Sequence, residues 1–178
     1  MALLQEVPPW WPEPLARACG AQARWVLTSR NGLLPLRRAI SARNPDILKS
    51  NGGGANAILV RGSVLEHRWT RLARVPERRV AHGVRTPDGW VANLHGTNPD
   101  GREDTLRALA AARAWAAGAP LLFGGDLNWV RPSLPGMVRI AGNHVDHLFT
   151  DGPRGRDAEV LARGRLSDHA PVAVTVLD

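Results

Sequence analysis

Short apolar runs in this chain stop repeatedly at a carboxylate, an imidazole or an amide. ALLQE ends at Glu6, VANLH at His95, and LLFGGDLN at Asp126 and Asn128. HVDHLF carries Asp146, and LSDHAPVAV enters its run through Asp168 and His169. Apolar runs of this length, bounded by turn residues, read as buried strands. A charge beside a buried strand is costly unless it is paired or bound to a cation. Strand ends are also where a rigid scaffold presents chemical groups. The pattern therefore restricts the chain to strand-rich folds whose strand ends meet at a polar place.

The remaining elements follow from period and punctuation. Residues 2–6 read as a strand, 12–24 as a helix opened by Pro12 and Pro14, and 25–29 as a strand. Residues 30–53, rich in Gly, Pro and Asn, read as a long surface loop. Strands are expected at 56–62, 78–85 and 90–96, with Asp88-Gly89 as a hairpin turn. The stretch between the first two reads as a strand pair or an irregular edge. The spacing predicts a helix over 101–118, with acids in its first turn, Leu106, Leu109, Ala110 and Arg113 at helical spacing, and Gly118 as its stop. Residues 120–128 read as a strand breaking into a Gly-Gly turn, followed by strands at 144–150 and 171–177. Many strands and few helices favour two sheets packed face to face with helices outside.

The 178 residues suit a single domain, 1–178. No apolar run reaches the roughly 20 residues that span a bilayer, and no secretory leader is visible. As written, the chain is cytoplasmic, although a leader preceding Met1 would change that. One cysteine, Cys19, excludes an intrachain disulfide and a cysteine-based zinc site. The net charge is +7. All but one of the 23 basic residues, Lys49, are arginine, which suits planar recognition of phosphate. A GC-rich coding sequence explains the same composition equally well, so charge alone decides little.

Each polar strand end, taken singly, is a solvated carboxylate, a satisfied histidine or a turn residue. Their chemistry agrees when they are taken together. Glu and Asp oxygens ligate a hard divalent cation, an Asp–His pair makes a base or stabilises charge, and an Asp-x-Asn turn orients water and donates to an oxyanion. That set suits metal-assisted hydrolysis of a phosphoester.

The stretches LLQEV (3–7), GGANAILVRG (53–62), ERRVAHGVR (77–85), VANLHGTN (91–98), LLFGGDLN (121–128), VDHLFT (145–150) and LSDHAPV (166–172) resemble, in order, those of the endonuclease/exonuclease/phosphatase family. GGDLN, VDHLF and SDHAPV carry most of the likeness. The resemblance implies an α/β fold, a four-layer αββα sandwich of two mostly antiparallel sheets with outer helices. It implies a Mg²⁺ (or Mn²⁺) ion on Glu6 and Asp168. Asp126 and Asn128 would position water and phosphate, and His169 would be the catalytic histidine oriented by Asp146. His95 would be an acid or phosphate contact, with Asn93 on the same strand face as a possible support, and Arg79 would face the phosphate.

The family pattern has one more apolar strand, ending in a metal-binding Asn, and a helix ahead of LLQE. Neither has a counterpart here, so the fold is expected to be N-terminally truncated. The chain also holds no tyrosine, which leans away from abasic-site enzymes. The expected function is a metal-dependent phosphodiesterase of the nuclease type acting on nucleic acid, as a monomer. The alternatives are a phosphatase or phospholipase-type hydrolase of small or lipid phosphoesters, and an impaired relative that binds phosphate or nucleic acid without turnover. A calcineurin-like reading of Gly125-Asp126 and Gly142-Asn143-His144 lacks the early Asp-x-His. A P-loop reading of SNGGGAN lacks the Lys-Ser or Lys-Thr that must follow.

Overall fold

The computed structural model describes residues 1–28, 36, 39–40, 54–75, 78–164 and 167–177. The loop expected at 30–53 therefore falls almost wholly outside the described residues. The elements run β1 (Ala2–Val7), α1 (Pro12–Ala18), β2 (Gln22–Leu27), β3 (Ala55–Val60), β4 (Glu66–Ala73), β5 (Arg79–Thr86) and β6 (Gly89–His95). They continue with α2 (Arg102–Ala116), β7 (Leu121–Asp126), β8 (Val138–Asn143), β9 (Asp146–Thr150), β10 (Arg154–Val160) and β11 (Val172–Leu177).

Six strands form the wide sheet in the order β4-β5-β6-β7-β9-β8. Its pairs are antiparallel except β6–β7, which α2 joins as a crossover. A second sheet, β1-β3-β2, packs on its face, and the β10–β11 pair lies against β8. With α1 on β2 and β3 and α2 on β4 to β7, the layers run helix, sheet, sheet, helix, the expected α/β sandwich.

Strand alternation sorts the side chains. Trp90, Ala92, Leu94, Leu121, Phe123 and Phe149 pack on the α2 side, against Ala108, Leu109, Ala112 and Ala116. Val91 and Leu122 turn the other way and meet Ile58, Val60, Val84 and Leu3 between the sheets. The same alternation brings Asn93, His95 and Asp126 to the inter-sheet face.

Asn93 is fully buried there and bridges the sheets. Its Oδ1 accepts from Gln5 Nε2 at 2.7 Å. Its Nδ2 donates to the carbonyls of Leu4 at 3.0 Å and Ala57 at 3.1 Å. It supports the inter-sheet joint rather than His95. On its own sheet it meets His82 Nε2 at 3.3 Å, and the other ring nitrogen of His82 lies 3.4 Å from His67.

Several expectations shift. The first helix ends at Ala18, not at 24, because Gly20 at φ +60° breaks it and residues 22–24 pair with β3. The strand expected at 25–29 thus begins at Gln22. Of the residues at helical spacing on the long helix, Leu109 is buried, Leu106 is 41% exposed and Ala110 is also exposed. The buried stripe runs instead through Thr105, Ala108, Leu109, Ala112 and Ala116, whose small side chains let the helix sit close to the sheet. Gly124 and Gly125 do not form a turn but belong to β7. At Gly125, φ is +130°, and a Cβ there would lie 2.1 Å from the Leu94 carbonyl oxygen, so a strand this close to β6 admits no side chain. The ambiguous stretch after residue 62 holds one strand, β4. Strands β8 and β10 were not foreseen, since RIAGN and RGRDAEV offer little apolar alternation.

The Asn93 bridge yields a stability prediction. Asn93→Ala removes the partner of the Gln5 amide and one partner each of the Leu4 and Ala57 carbonyls. It should lower unfolding free energy by about 3 kcal/mol, at roughly 1–3 kcal/mol per buried group left unpaired. Urea denaturation should show the midpoint falling at unchanged slope.

Candidate active site

The ends of β6 and β7 lie side by side, with His95 paired to Asp126 in register, and β9 begins beside them with Asp146 opposite Asp126. Three of the expected residues are thus neighbours by strand pairing alone. The segment before β11 brings in a fourth. His169 Nδ1 donates to Asp146 Oδ2 at 2.9 Å and lies 3.9 Å from Asp126 Oδ2. One ligand atom each from Asp126, Asp146 and His169 falls within a span of 4.8 Å, close enough to share an ion.

β1 supplies Glu6 from the other sheet. The β1–β3 register slips between Leu4 and Val7, and Glu6 takes φ +54°. Gly54 makes room for it, since a Cβ there would come within 2.7 Å of the Glu6 Cα. The Glu6 carboxylate stands 3.7 Å from His95 Nδ1, while Asp126 Oδ2 stands 3.6 Å from His95 Nε2. The histidine lies between the two acids at distances too long for direct hydrogen bonds.

Asn128 follows at φ +47°, with its backbone N–H donating to Asp126 Oδ1 at 2.9 Å. Its side-chain amide donates to the Gly96 carbonyl at 3.0 Å, which leaves one amide hydrogen for another acceptor. Arg79 is buried at the start of β5 and acts electrostatically on both His95 and Asp126. Asp168 is exposed and acts in the same way on Asp146 and His169. The expected set is therefore gathered at one end of the sandwich. Glu6 and Asp168, expected as the metal pair, stand beside the tightest donor group and not within it.

The electrostatics divide the histidines. Burial, reinforced by Arg79 and His169, lowers the His95 pKa to about 3, so its ring is neutral near pH 7. Burial also pulls His169 down, but Asp146, Asp126 and Asp168 outweigh it and the net shift is upward. Asp126 is raised by burial and by Asp146, against the Asn128 N–H, His169 and Arg79. Asp146 is raised by burial against His169. Two half-desolvated carboxylates facing one another suit a cation, and oxygen donors with one imidazole suit Mg²⁺ or Mn²⁺.

Some residues near the site carried no motif. Gln5 holds β1 to Asn93 one residue before Glu6. Asp104 on α2 accepts from Thr97 N at 2.9 Å and Thr97 Oγ1 at 2.6 Å, anchoring the loop after His95. Asp104 was read only as a first-turn acid, and the Thr97 partner is what shows its role.

No protein-family profile and no curated protein matches the sequence. Solved structures do. TDP2 from Caenorhabditis elegans superposes with a TM-score of 0.66 at 16% identity, over 99% of this chain and 63% of that one. The human Nocturnin catalytic domain, with bound sulfate, gives 0.62 at 15% identity, over 97% and 80%. An endonuclease/exonuclease/phosphatase from Bacteroides vulgatus gives 0.60 at 14% identity, over 87% and 76%. The chain thus spans less than two thirds of the C. elegans protein. At these identities the likeness is one of architecture, and it agrees with the layers and the strand ends described above: the chain has the endonuclease/exonuclease/phosphatase fold.

Proposed function

We propose that this chain is a divalent-metal-dependent phosphodiester hydrolase of the nuclease type. The observation that carries the reading is the convergence of Asp126, Asp146 and His169 within 4.8 Å beside a buried arginine, Arg79. The ion would be held by carboxylates of this cluster, with Glu6 and Asp168 on its rim. When bound, it supplies Lewis-acid polarisation of the phosphoryl oxygen.

The protein groups have separable parts. Asp126, held by the Asn128 backbone N–H, orients a water and accepts its proton. Arg79 and the remaining amide hydrogen of Asn128 take charge from the phosphoryl oxygens. His95 is neutral and hydrogen-bonds the phosphate without acting as an acid. His169 keeps its proton to higher pH. With Nδ1 given to Asp146, its Nε2–H is the proton it would give to the leaving oxygen. The arginine excess mildly favours a nucleic acid over a neutral-bodied ester.

Asp126→Ala and His169→Ala should each lower kcat for bis(4-nitrophenyl) phosphate with Mg²⁺ or Mn²⁺ by about 10²–10⁴, the range for a lost acid or base. Circular dichroism should show the fold retained. Wild-type turnover in both variants would defeat the assignment.

The pH behaviour follows from His169. Its folded pKa lies above the unfolded value near 6.5. Its stabilising contribution is therefore complete below about pH 6.5 and fades as pH rises through the folded pKa. NMR titration of the metal-free protein should find this imidazole titrating above about 6.5, and Asp146→Asn should bring it down.

The carboxylates give the opposite test. A raised folded pKa means that ionised Asp126 costs stability at neutral pH. In EDTA at pH 7, Asp126→Asn should melt higher than wild type. Saturating Mn²⁺ should raise the wild-type Tm and leave that of the variant nearly unmoved.

A further inference from the structure

The hydrogen bonds of Asn93 continue past the inter-sheet joint to the margin of the wide sheet. Its Nδ2 lies 3.3 Å from His82 Nε2, and His82 Nδ1 lies 3.4 Å from His67 Nε2. The row crosses three neighbouring strands, from Asn93 on β6 through His82 on β5 to His67 on the edge strand β4. Asn93 and His82 are fully buried, and His67 is half-buried. Solvent protons therefore reach the row at its His67 end.

The direction of the row follows from its donors. Asn93 Nδ2 stands against two backbone carbonyls, those of Leu4 and Ala57, so the amide group and not the oxygen faces that way. An amide nitrogen accepts no hydrogen bond, so the His82 Nε2 beside it is the bare, accepting nitrogen. The His82 proton is then on Nδ1 and is given to His67, whose Nε2 is bare in turn. A proton added to His67 Nε2 reverses this last link, and the His82 Nδ1–H faces another donor. Moving the His82 proton to Nε2 only passes the clash to Asn93. That amide cannot turn over without setting its oxygen against the two carbonyls. Either way a buried N–H is left without an acceptor.

No charge of opposite sign offsets the added proton. Arg24 of β2 acts on His67 from the other sheet, and the two rings act on each other. Strand alternation puts Arg71 on the same face of β4 as His67. It puts Glu66 and Arg68 on the opposite face, where they pair with one another. Across from His82, β3 presents the uncharged Asn56, Ile58 and Val60, and β1 presents Leu3 and Gln5. The titratable groups beyond Asn93, Glu6 of β1 and His95 of β6, face each other. Among the described residues no carboxylate acts on either ring of the pair. Burial and Arg24 hold His67 below its ordinary value of 6.5, and burial and His67 lower His82 to about 3.

We infer that His67, His82 and Asn93 form an acid-sensitive latch between the sheets: proton uptake at His67 loosens the hold of Asn93 on Leu4 and Gln5 of β1, and with it the placement of Glu6. β1 is the edge strand of its sheet, so the Asn93 bonds are its directional tie to the wide sheet. The latch acts in the metal-free chain, whether or not the site turns over a phosphodiester. A histidine whose folded pKa is lowered contributes stability that is complete above the unfolded value near 6.5 and is lost as pH falls toward the folded pKa.

The test uses the full chain in EDTA. Long-range proton–nitrogen correlation NMR at about pH 7 should find His82 protonated at Nδ1 and bare at Nε2. Hydrogen exchange of the β1 amides is expressed as protection factors, which removes the intrinsic pH dependence. In wild type these should fall below about pH 6.5, by up to about tenfold per pH unit for each proton taken up on opening. The α2 amides, on the far face of the wide sheet, are the reference and should change less. His67→Gln, whose Oε1 accepts the His82 N–H without taking up a proton, should remove most of the fall in β1. The same fall in H67Q as in wild type, equal losses in β1 and α2, or a His82 with its proton on Nε2 would each overturn the latch. The tautomer and the wild-type profile need no substitution, so they decide the matter even if the variant misfolds.

Discussion

The hydrogen bonds of Asn93 hold the arrangement together. The two sheets meet through a thin apolar layer, Ile58, Val60, Val84 and Val91 with Leu3 and Leu122. Apolar contact does not set register, because it is non-directional. The Asn93 amide is directional. By taking Gln5 and giving to Leu4 and Ala57, it fixes where β1 lies along β6. Glu6 is the next residue after Gln5, and His95 is two after Asn93. The distance between Glu6 and His95 is therefore set by a bond deeper in the sandwich than either of them.

The site is organised by its charges as well as its geometry. Asp126 and Asp146 face each other because β7 and β9 pair in register, not because they attract. Burial raises both, and a neighbouring carboxylate adds to it in each case, Asp146 at Asp126 and Asp168 at Asp146. The conflict is eased by His169, which leans on Asp146 and keeps its proton more firmly for it. His95 is so enclosed that it loses its charge, although two acids lie within 4 Å. One pair of histidines thus offers a neutral contact and a charged donor. The difference comes from exposure and from the carboxylates: His95 is 8% exposed in its side chain, while His169 is 39% exposed and hydrogen-bonded to Asp146.

Much of this was legible in the residues. Apolar runs ending in polar groups predicted strands converging at their ends, and all eight expected site residues, Glu6, Arg79, His95, Asp126, Asn128, Asp146, Asp168 and His169, lie at that end of the sandwich. The elements that escaped notice were those whose stability comes from neighbours. β8 exists because its backbone pairs with β9, and β10 because it pairs with β11 and lies on β8. Every residue of β10 is exposed, so no apolar period could mark it. Leu106 shows the converse. A leucine at helical spacing reads as core, yet close approach to the sheet required the alanine stripe beside it.

Residue type and local order by themselves determined the kind of fold and the chemistry on offer: strands, a sheet sandwich, and oxygen and imidazole groups at strand ends. Only the tertiary structure decided which of those groups meet. Ion sharing and proton affinity depend on distances of a few ångströms between strands far apart in the chain. Those distances are set by pairing register, by the absence of a side chain at Gly54 and Gly125, and by the Asn93 bridge. None of these acts until the sheets are packed.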